Sequence, residues 1–317
     1  MAGNNRAMIT GVTGFVGKWL SEYLLANGQE VYGIDIGETC PYPDISYRQA
    51  DILNTDSLAD FFFEVIPGYV YHLAAISFPP EADVSPRRSL EINIMGTISV
   101  FDAVRKSCSD SIVLSVGSSK EYSREYTVER IPESSYPEPV DFYGVSKYSA
   151  ELTGLQYVNQ FGTDIRFTRS FNHTGPGQSP LFVCSDWAKQ VAEISLGISE
   201  PVIKVGNLES VIDFTDVRDV VKAYYHILTK GKKGEIYNVC SGKGYALGWI
   251  LEYLTEKCPR EIKILTEPRK LQMHKTHGRM VGDNTRLIEQ TGWKSTYSIE
   301  KTLDDLYDYW SEELKKS

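Results

Sequence analysis

Thr10-Gly11-Val12-Thr13-Gly14-Phe15-Val16-Gly17 lies between a short apolar run, Ala7-Met8-Ile9-Thr10, and an amphipathic segment from Phe15 to Ala26. The run predicts a buried strand, the segment predicts a helix, and the glycines mark a tight loop between them. In that setting glycine lets the backbone approach a pyrophosphate while the helix N-terminus faces the anion. Gly11, Thr13, Gly14, Phe15, Val16 and Gly17 are therefore the expected cradle of a dinucleotide. The spacing is GxxGxxG, not GxGxxG.

Outward from this stretch, β-rich runs and longer amphipathic segments alternate. Strands are predicted at Glu30 to Asp35, Tyr69 to Leu73, Ser111 to Val116 and Ile165 to Arg169. Helices are predicted at Ser57 to Val65, Arg88 to Lys106 and Phe142 to Gln160. Such alternation implies an α/β fold, a doubly wound parallel sheet with right-handed crossovers. From Asn172 the pattern loosens around Thr174-Gly175-Pro176-Gly177-Gln178. Helices follow near Phe182 to Leu196, Asp216 to Leu228, Leu247 to Glu256 and Ile299 to Leu314, with strands at Glu235 to Val239 and Ile262 to Leu265. The expected division is a dinucleotide-binding domain over 1–171, joined by a strand returning near 235–239, and a smaller interleaved lobe over 172–317.

The chain has 317 residues, 42% hydrophobic and 24% charged, with a net charge of −9 and no Lys/Arg cluster. A nucleic-acid partner would need a basic footprint, so none is expected. No apolar run reaches the roughly 18 to 20 residues that span a bilayer, and no signal peptide is visible. The five cysteines, Cys40, Cys108, Cys184, Cys240 and Cys258, form no CxxC pair. Free thiols in a reducing compartment are the plain reading, which points to the cytoplasm and away from a metal site.

Asp35 ends the second strand about twenty residues after the glycines, where a carboxylate meets the adenosine ribose hydroxyls. Ile36-Gly37-Glu38 offers no cation for a 2′-phosphate, so NAD is expected over NADP. Asp51 and Ile52 are placed beside the adenine, and His72-Leu73-Ala74-Ala75 along the cofactor's path. Tyr143 and Lys147 are four apart on a predicted helix and hence neighbours. The ammonium is expected to lower the phenol's pKa from about 10. Ser118, after the preceding strand, reaches the same crevice. Tyr143 would exchange a proton with a carbonyl or hydroxyl oxygen, Ser118 would hydrogen-bond that oxygen, and Lys147 would hold the nicotinamide ribose.

GxxGxxG, the downstream Ser and YxxxK resemble the extended short-chain dehydrogenase/reductase family, nucleotide-sugar branch, on a Rossmann fold. The likeness extends through His72-Leu73-Ala74-Ala75, Asn93 before Gly96-Thr97, Gly117-Ser118-Ser119 and Arg169-Ser170-Phe171-Asn172-His173-Thr174-Gly175-Pro176-Gly177-Gln178. It continues in Val205 to Glu209, Asp213 to Asp219 and Tyr237 to Gly242, which are most similar to GDP-6-deoxy-4-keto-mannose reductases and next to GDP-mannose 4,6-dehydratases. The resemblance implies a GDP-linked sugar as partner. It adds Asn93 and Phe171 to the cofactor residues, and Ser119 and Lys120 to the substrate site. It also sets Asn172 at the diphosphate, Phe182, Val183 and Lys189 near guanine, and Asn207 near the nucleotide. Three departures stand out. Lys120 occupies the place of the dehydratases' Glu, Ile212 that of an Arg, and Met273 that of a phosphate-binding Arg. Arg279, Lys275, His274 and His277 are the replacements considered for the phosphate grip.

The leading expectation is reduction at C4 of a GDP-4-keto sugar. The alternative is a C4 dehydrogenase or epimerase of a GDP-manno-hexose or heptose with tightly held NAD. A 4,6-dehydratase ranks below both because of Lys120, and a catalytically silent sensor below because Ser118, Tyr143 and Lys147 are all present. The resemblance further implies a homodimer or homotetramer, and a role in polysaccharide precursors; Ile92, Ile94, Val100, Phe101 and Val104 fit such a seam and equally fit burial against the chain's own sheet.

Overall fold

The apolar runs become a seven-stranded parallel sheet in the computed structural model, which describes residues 4–122, 128–267 and 278–316. Its strands are β1 (Arg6–Thr10), β2 (Glu30–Asp35), β3 (Ser46–Gln49), β4 (Tyr69–His72), β5 (Ile112–Ser118), β6 (Asp164–Ser170) and β10 (Ile236–Val239). The spatial order β10-β6-β5-β4-β1-β2-β3 reverses direction between β1 and β4. At such a switch point a crevice opens beyond the carboxyl ends of the strands. Ala7, Met8 and Ile9 are fully buried, as a central parallel strand covered on both faces requires.

Helices cover the two faces. On one, α1 (Phe15–Ala26) and α8 (Val217–Lys230) bury Leu20, Leu24, Val220, Tyr224 and Ile227 against Ile9, Tyr71 and Leu114. On the other, α2 (Thr55–Val65) and α5 (Gly96–Ser107) bury Leu58, Phe62, Val100, Phe101 and Val104 against Met8, Val70 and Val113. Each such side chain contributes about 1.5–3 kcal/mol. The long helix α6 (Phe142–Phe161) starts at Asp141, whose carboxylate accepts the Gly144 N–H at 2.8 Å. It ends at Gly162 in the left-handed region.

The helix expected over Arg88 to Lys106 is not continuous. After α3 (Pro79–Val84), α4 (Pro86–Leu90) passes into a π turn, Glu91–Met95, before α5 begins. The wider turn carries Asn93 inward, where it is 1% exposed. Val100, Phe101 and Val104 serve the chain's own core, and Ile92 packs on the same cluster, so they do not form a free seam. The exposed apolar side chains of α3 to α6 include Val84, Met95, Phe142, Val145, Leu152 and Phe161.

In the second half, β7 (Asn172–Thr174), β9 (Val211–Asp216), β11 (Gly244–Ala246) and β13 (Arg279–Met280) form a small sheet centred on β9, with β11 alone antiparallel. A two-stranded sheet pairs β8 (Val202–Val205) with β12 (Lys263–Thr266). Helices α7 (Val183–Ser195), α9 (Leu247–Thr255) and α11 (Ile299–Lys316) bury Trp187, Ile250, Leu254, Leu303 and Leu306 in a separate core. The short α10 (Thr285–Thr291) sets Leu287 into the first core. No helix among the described residues is long and apolar enough to cross a membrane.

Candidate active site

The glycine loop leaves β1 at the switch point. Gly11 has φ +75°, and a Cβ there would stand 2.8 Å from the Ala74 backbone nitrogen. A side chain would both strain the backbone and fill the gap between the loop and the end of β4. No side chain caps α1, whose N-cap is Gly14. The first-turn amides at Phe15, Val16 and Gly17 therefore have no side-chain acceptor, the arrangement that receives a pyrophosphate. A bare glycine cradle against an uncapped helix fits a dinucleotide.

Asp35 sits at the C-terminal end of β2 as expected. Its Oδ2 accepts from the Thr13 N–H at 3.0 Å and the Thr13 hydroxyl at 2.6 Å, and its Oδ1 accepts the Ile36 N–H at 2.8 Å. It thus pins the glycine loop from the side on which an adenosine ribose would lie. Asp51 is exposed at the same edge, and its Oδ1 accepts the Leu53 N–H at 2.9 Å. Ile52 points inward and is 5% exposed. Leu73 and Ala74 border the loop, and the Ala74 N–H donates to the Thr10 hydroxyl at 3.3 Å.

Three expected cofactor contacts differ. His72 is buried, its ring nitrogens meeting the hydroxyls of Thr10 (2.7 Å) and Thr97 (2.9 Å), so it ties β4 to β1 and α5 instead of lining the crevice. Burial lowers its pKa to about 3. Asn93 is occupied within the protein: its Oδ1 accepts the Ile76 N–H at 2.8 Å, and its amide donates to Ile76 O (3.0 Å) and Ser146 Oγ (2.9 Å). It clamps the segment after Ala75 to α6, one residue from Lys147. Phe171 is 2% exposed and clusters with Tyr122, Ile131 and Cys240, so its ring lies beneath the site.

Ser118, Tyr143 and Lys147 do come together. The Ser118 hydroxyl accepts the Lys120 N–H at 3.2 Å and is hydrogen-bonded to the Tyr143 phenol. Lys147 Nζ lies 6.0 Å from the Tyr143 ring centroid and donates to Val116 O at 2.9 Å. The expected lowering of the phenol is not what the site shows. Burial pushes Tyr143 up, partly opposed by the Ser118 hydrogen bond, and burial pushes Lys147 down to about 8. At this separation desolvation outweighs the attraction of the ammonium. Tyr143 stands as a neutral acid beside an amine close to its titration point.

Ser119 is buried and Lys120 half-buried, with the Lys120 carbonyl against Gly144 in the first turn of α6. Glu121 has no exposure at all: it folds back under Ser118, and its Oε1 accepts the Ser118 N–H at 2.7 Å. Arg169 lies beyond it, with Nε 3.4 Å from Glu121 Oε2 and two bonds to Glu151 at 2.9 and 2.6 Å. Sequence reading did not bring Glu121, Glu151 and Arg169 together, since they come from three separate segments.

On the facing side, Asn172 is exposed on β7. Phe182 meets Phe78 edge-on at 5.6 Å, just before Val183 opens α7. Lys189 turns toward α11, 3.7 Å from Glu193 and 5.4 Å from the Trp310 ring. Asn207 accepts the Glu209 N–H at 2.9 Å and donates to Ser210 Oγ at 3.2 Å, shaping its own turn. Arg279 donates to Glu129 O at 3.1 Å on the edge strand β13. Met273, His274, Lys275 and His277 lie outside the described residues. Two contacts missed in the sequence join the halves: Phe15 stacks on His173 at 6.3 Å, and Trp19 Nε1 donates to Pro176 O at 3.1 Å.

A doubly wound sheet, a glycine cradle at its switch point and a Ser–Tyr–Lys set at its carboxyl edge define a nicotinamide-dependent oxidoreductase of the short-chain dehydrogenase/reductase type. Residues 8–306 match the family described as GDP-mannose 4,6 dehydratase, and the chain belongs to that family. It is 33% identical over 312 residues to the GDP-6-deoxy-D-mannose reductase of Pseudomonas aeruginosa, covering 98% of this chain and 99% of the relative. It is 28% identical over 306 residues to the GDP-6-deoxy-D-talose 4-dehydrogenase of Aggregatibacter actinomycetemcomitans, covering 95% and 97%. Among solved structures, RMD from Pseudomonas aeruginosa complexed with NADPH superposes with a TM-score of 0.84 at 32% identity, covering 97% and 99%.

Proposed function

We propose that the protein is an NAD(H)-dependent oxidoreductase acting at C4 of a GDP-manno-type sugar, and that it reduces a GDP-4-keto-6-deoxy-mannose. The observation that carries this reading is the place of Glu121. A 4,6-dehydration needs a carboxylate to take the C5 proton. Lys120 stands where such a carboxylate is expected, and Glu121 is sealed under Ser118. What remains is proton exchange at one oxygen, which Tyr143 performs while Ser118 hydrogen-bonds that oxygen. A phenol held neutral by burial begins as the donor, the role reduction requires. Lys147 orients the cofactor ribose and supplies positive charge as the phenolate forms. When bound, the nicotinamide supplies the hydride.

The chain resembles a GDP-6-deoxy-D-mannose reductase along nearly its whole length, which supports the substrate class. Asp35, without a cation after it, favours NAD; Gly11, Thr13, Gly14, Phe15, Val16 and Gly17 would hold the pyrophosphate, and Asp51, Leu73, Ala74 and Ala75 the rest of the cofactor. Asn172, Phe182, Val183, Asn207 and Arg279, with Ser119 and Lys120, are proposed as the substrate wall. Residues 1–171 with the returning strand would form the cofactor domain and 172–317 most of the sugar-nucleotide lobe. Five unpaired thiols fit the cytoplasm. Met95, Val145 and Leu152 offer an apolar stripe for a homodimer.

A C4 dehydrogenase is the second reading, favoured by Asp35 and by likeness to the talose dehydrogenase. Reduced-nicotinamide absorbance separates them. Signal lost with NADH and GDP-4-keto-6-deoxymannose supports the reductase, and signal gained with NAD and a GDP-manno sugar supports the second reading. Silence in both, with cofactor bound, removes the GDP-sugar assignment.

A further inference from the structure

Glu121, Glu151 and Arg169 bring two carboxyls and one guanidinium into a space where none is more than 4% exposed. Arg169 commits its better-placed donors to Glu151, through Nε and Nη2 at 2.9 and 2.6 Å, and a third to Glu133 O at 3.3 Å. Glu121 is left with one satisfied oxygen, Oε1, which accepts the Ser118 N–H. Its Oε2 is buried without a hydrogen-bond donor among the described residues. A buried carboxylate with an orphaned oxygen beside a second carboxylate is costly, and one proton placed between the two removes both problems. Gly117 makes room for this arrangement, since a Cβ there would collide with Glu121 Oε1 and Thr168 O.

We propose that Glu121 is a positioning residue for the reaction: it fixes Ser118 from beneath through the Ser118 N–H, and it shares one proton with Glu151 across Arg169. Ser118 is the last residue of β5, and neighbouring strand β6 holds it only through Ser170. Past that point the Glu121 carboxyl takes over the ladder's task of fixing the Ser118 amide, and with it the hydroxyl that meets Tyr143. The retained proton keeps a negative charge away from Tyr143 and Lys147. The groups facing Glu121 are Tyr143, Lys147 and Glu151 from α6, Arg169 from β6, its neighbour Tyr122, and Glu133 beyond Arg169. Burial and the adjoining Glu151 carboxylate both push Glu121 above the usual carboxyl range, in keeping with the geometry.

The activity arm of the test rests on the C4 reduction proposed above; the exchange arm does not. Glu121→Leu removes the acceptor and should lower kcat about 10- to 100-fold with little change in KM, the loss expected from a misplaced hydroxyl. It should also speed hydrogen exchange of the Ser118 amide. Glu121→Gln keeps an acceptor for Ser118 and a donor for Glu151, so it should restore kcat and amide protection together. It should also leave the alkaline limb of kcat/KM, set by Lys147, where it was. The proposal is overturned if Glu121→Gln is as impaired as Glu121→Leu, if Glu121→Leu keeps full kcat, or if Glu121→Gln moves that limb. Should Glu121→Leu not fold, Glu121→Gln alone decides through amide protection and the limb. If the protein as it stands turns over neither sugar, the C4 reading fails and amide exchange still decides on Glu121.

Discussion

On the function proposed above, the two halves would hold their ligands by different means. The parallel-sheet half would present mainly backbone: a glycine loop, an uncapped helix end and the rim of β4, with Asp35, Ser118, Tyr143 and Lys147 as its proposed polar side chains. The other lobe would present side chains from a short strand, a turn and α7, and several are already engaged with neighbours, as Lys189 is with Glu193 and Asn207 with Ser210. Backbone recognition follows from the fold itself. Side-chain recognition is adjustable, and one fold can accept different sugars by changing it.

The comparison can be broken at several strengths. Tyr143→Phe should lower kcat about 10³-fold while dinucleotide affinity is kept. A matching loss of cofactor binding would show that the two tasks are not separate. The halves should also respond oppositely to acid. His72 has a folded pKa near 3, below its unfolded value, so its contribution is complete above pH 6.5 and is lost as pH falls toward 3, at about 1.4 kcal/mol per unit. Asp213, in the lobe, accepts from the Ser241 N–H and hydroxyl and from the Gly242 N–H, yet burial raises it to about 6. Its contribution runs the other way, greatest in acid and lost as pH rises through 6. Hydrogen exchange followed downward from pH 7 should loosen the peptide around β4 before the one around β9. The reverse order would contradict the assignment.

Gly11→Ala should weaken dinucleotide binding at least about 10-fold, since it adds backbone strain as well as a contact with Ala74. Titration of cofactor fluorescence would read it, and unchanged affinity would mean the cradle lies elsewhere. In the reductive direction kcat/KM should be flat below pH 8 and decline above it as Lys147 loses its proton. The smallest effect concerns Ile66, a β-branched residue at φ 45° capping α2, with a side chain half exposed. Ile66→Gly should raise stability by about 1 kcal/mol, read from thermal melts, without touching activity.

The sheet half was legible because its signals are local. Ala7-Met8-Ile9 is a continuous apolar run, and glycines with a following amphipathic segment name the loop. Ser118, Tyr143 and Lys147 were legible by position. Three features were not. Periodicity does not register a single π turn, so Asn93 was read as a cofactor contact when the turn rotates it into the core. The apolar residues of α5 carried no mark of which face they serve, and Val100, Phe101 and Val104 serve the sheet. The pairing of β8 with β12 joins segments some sixty residues apart, through strands of four residues each. Nothing in either segment names the other.

β10 completes the main sheet although it is separated from β6 by the whole of the first stretch of the second lobe. During synthesis, therefore, the ribosome must add residues through Val239 before β6 has a partner on its outer side. At about 5–20 residues per second, several seconds pass with that edge bare. A nascent chain halted near residue 171 would carry an open parallel edge, the kind of surface that chaperones cover and that seeds aggregation when they do not.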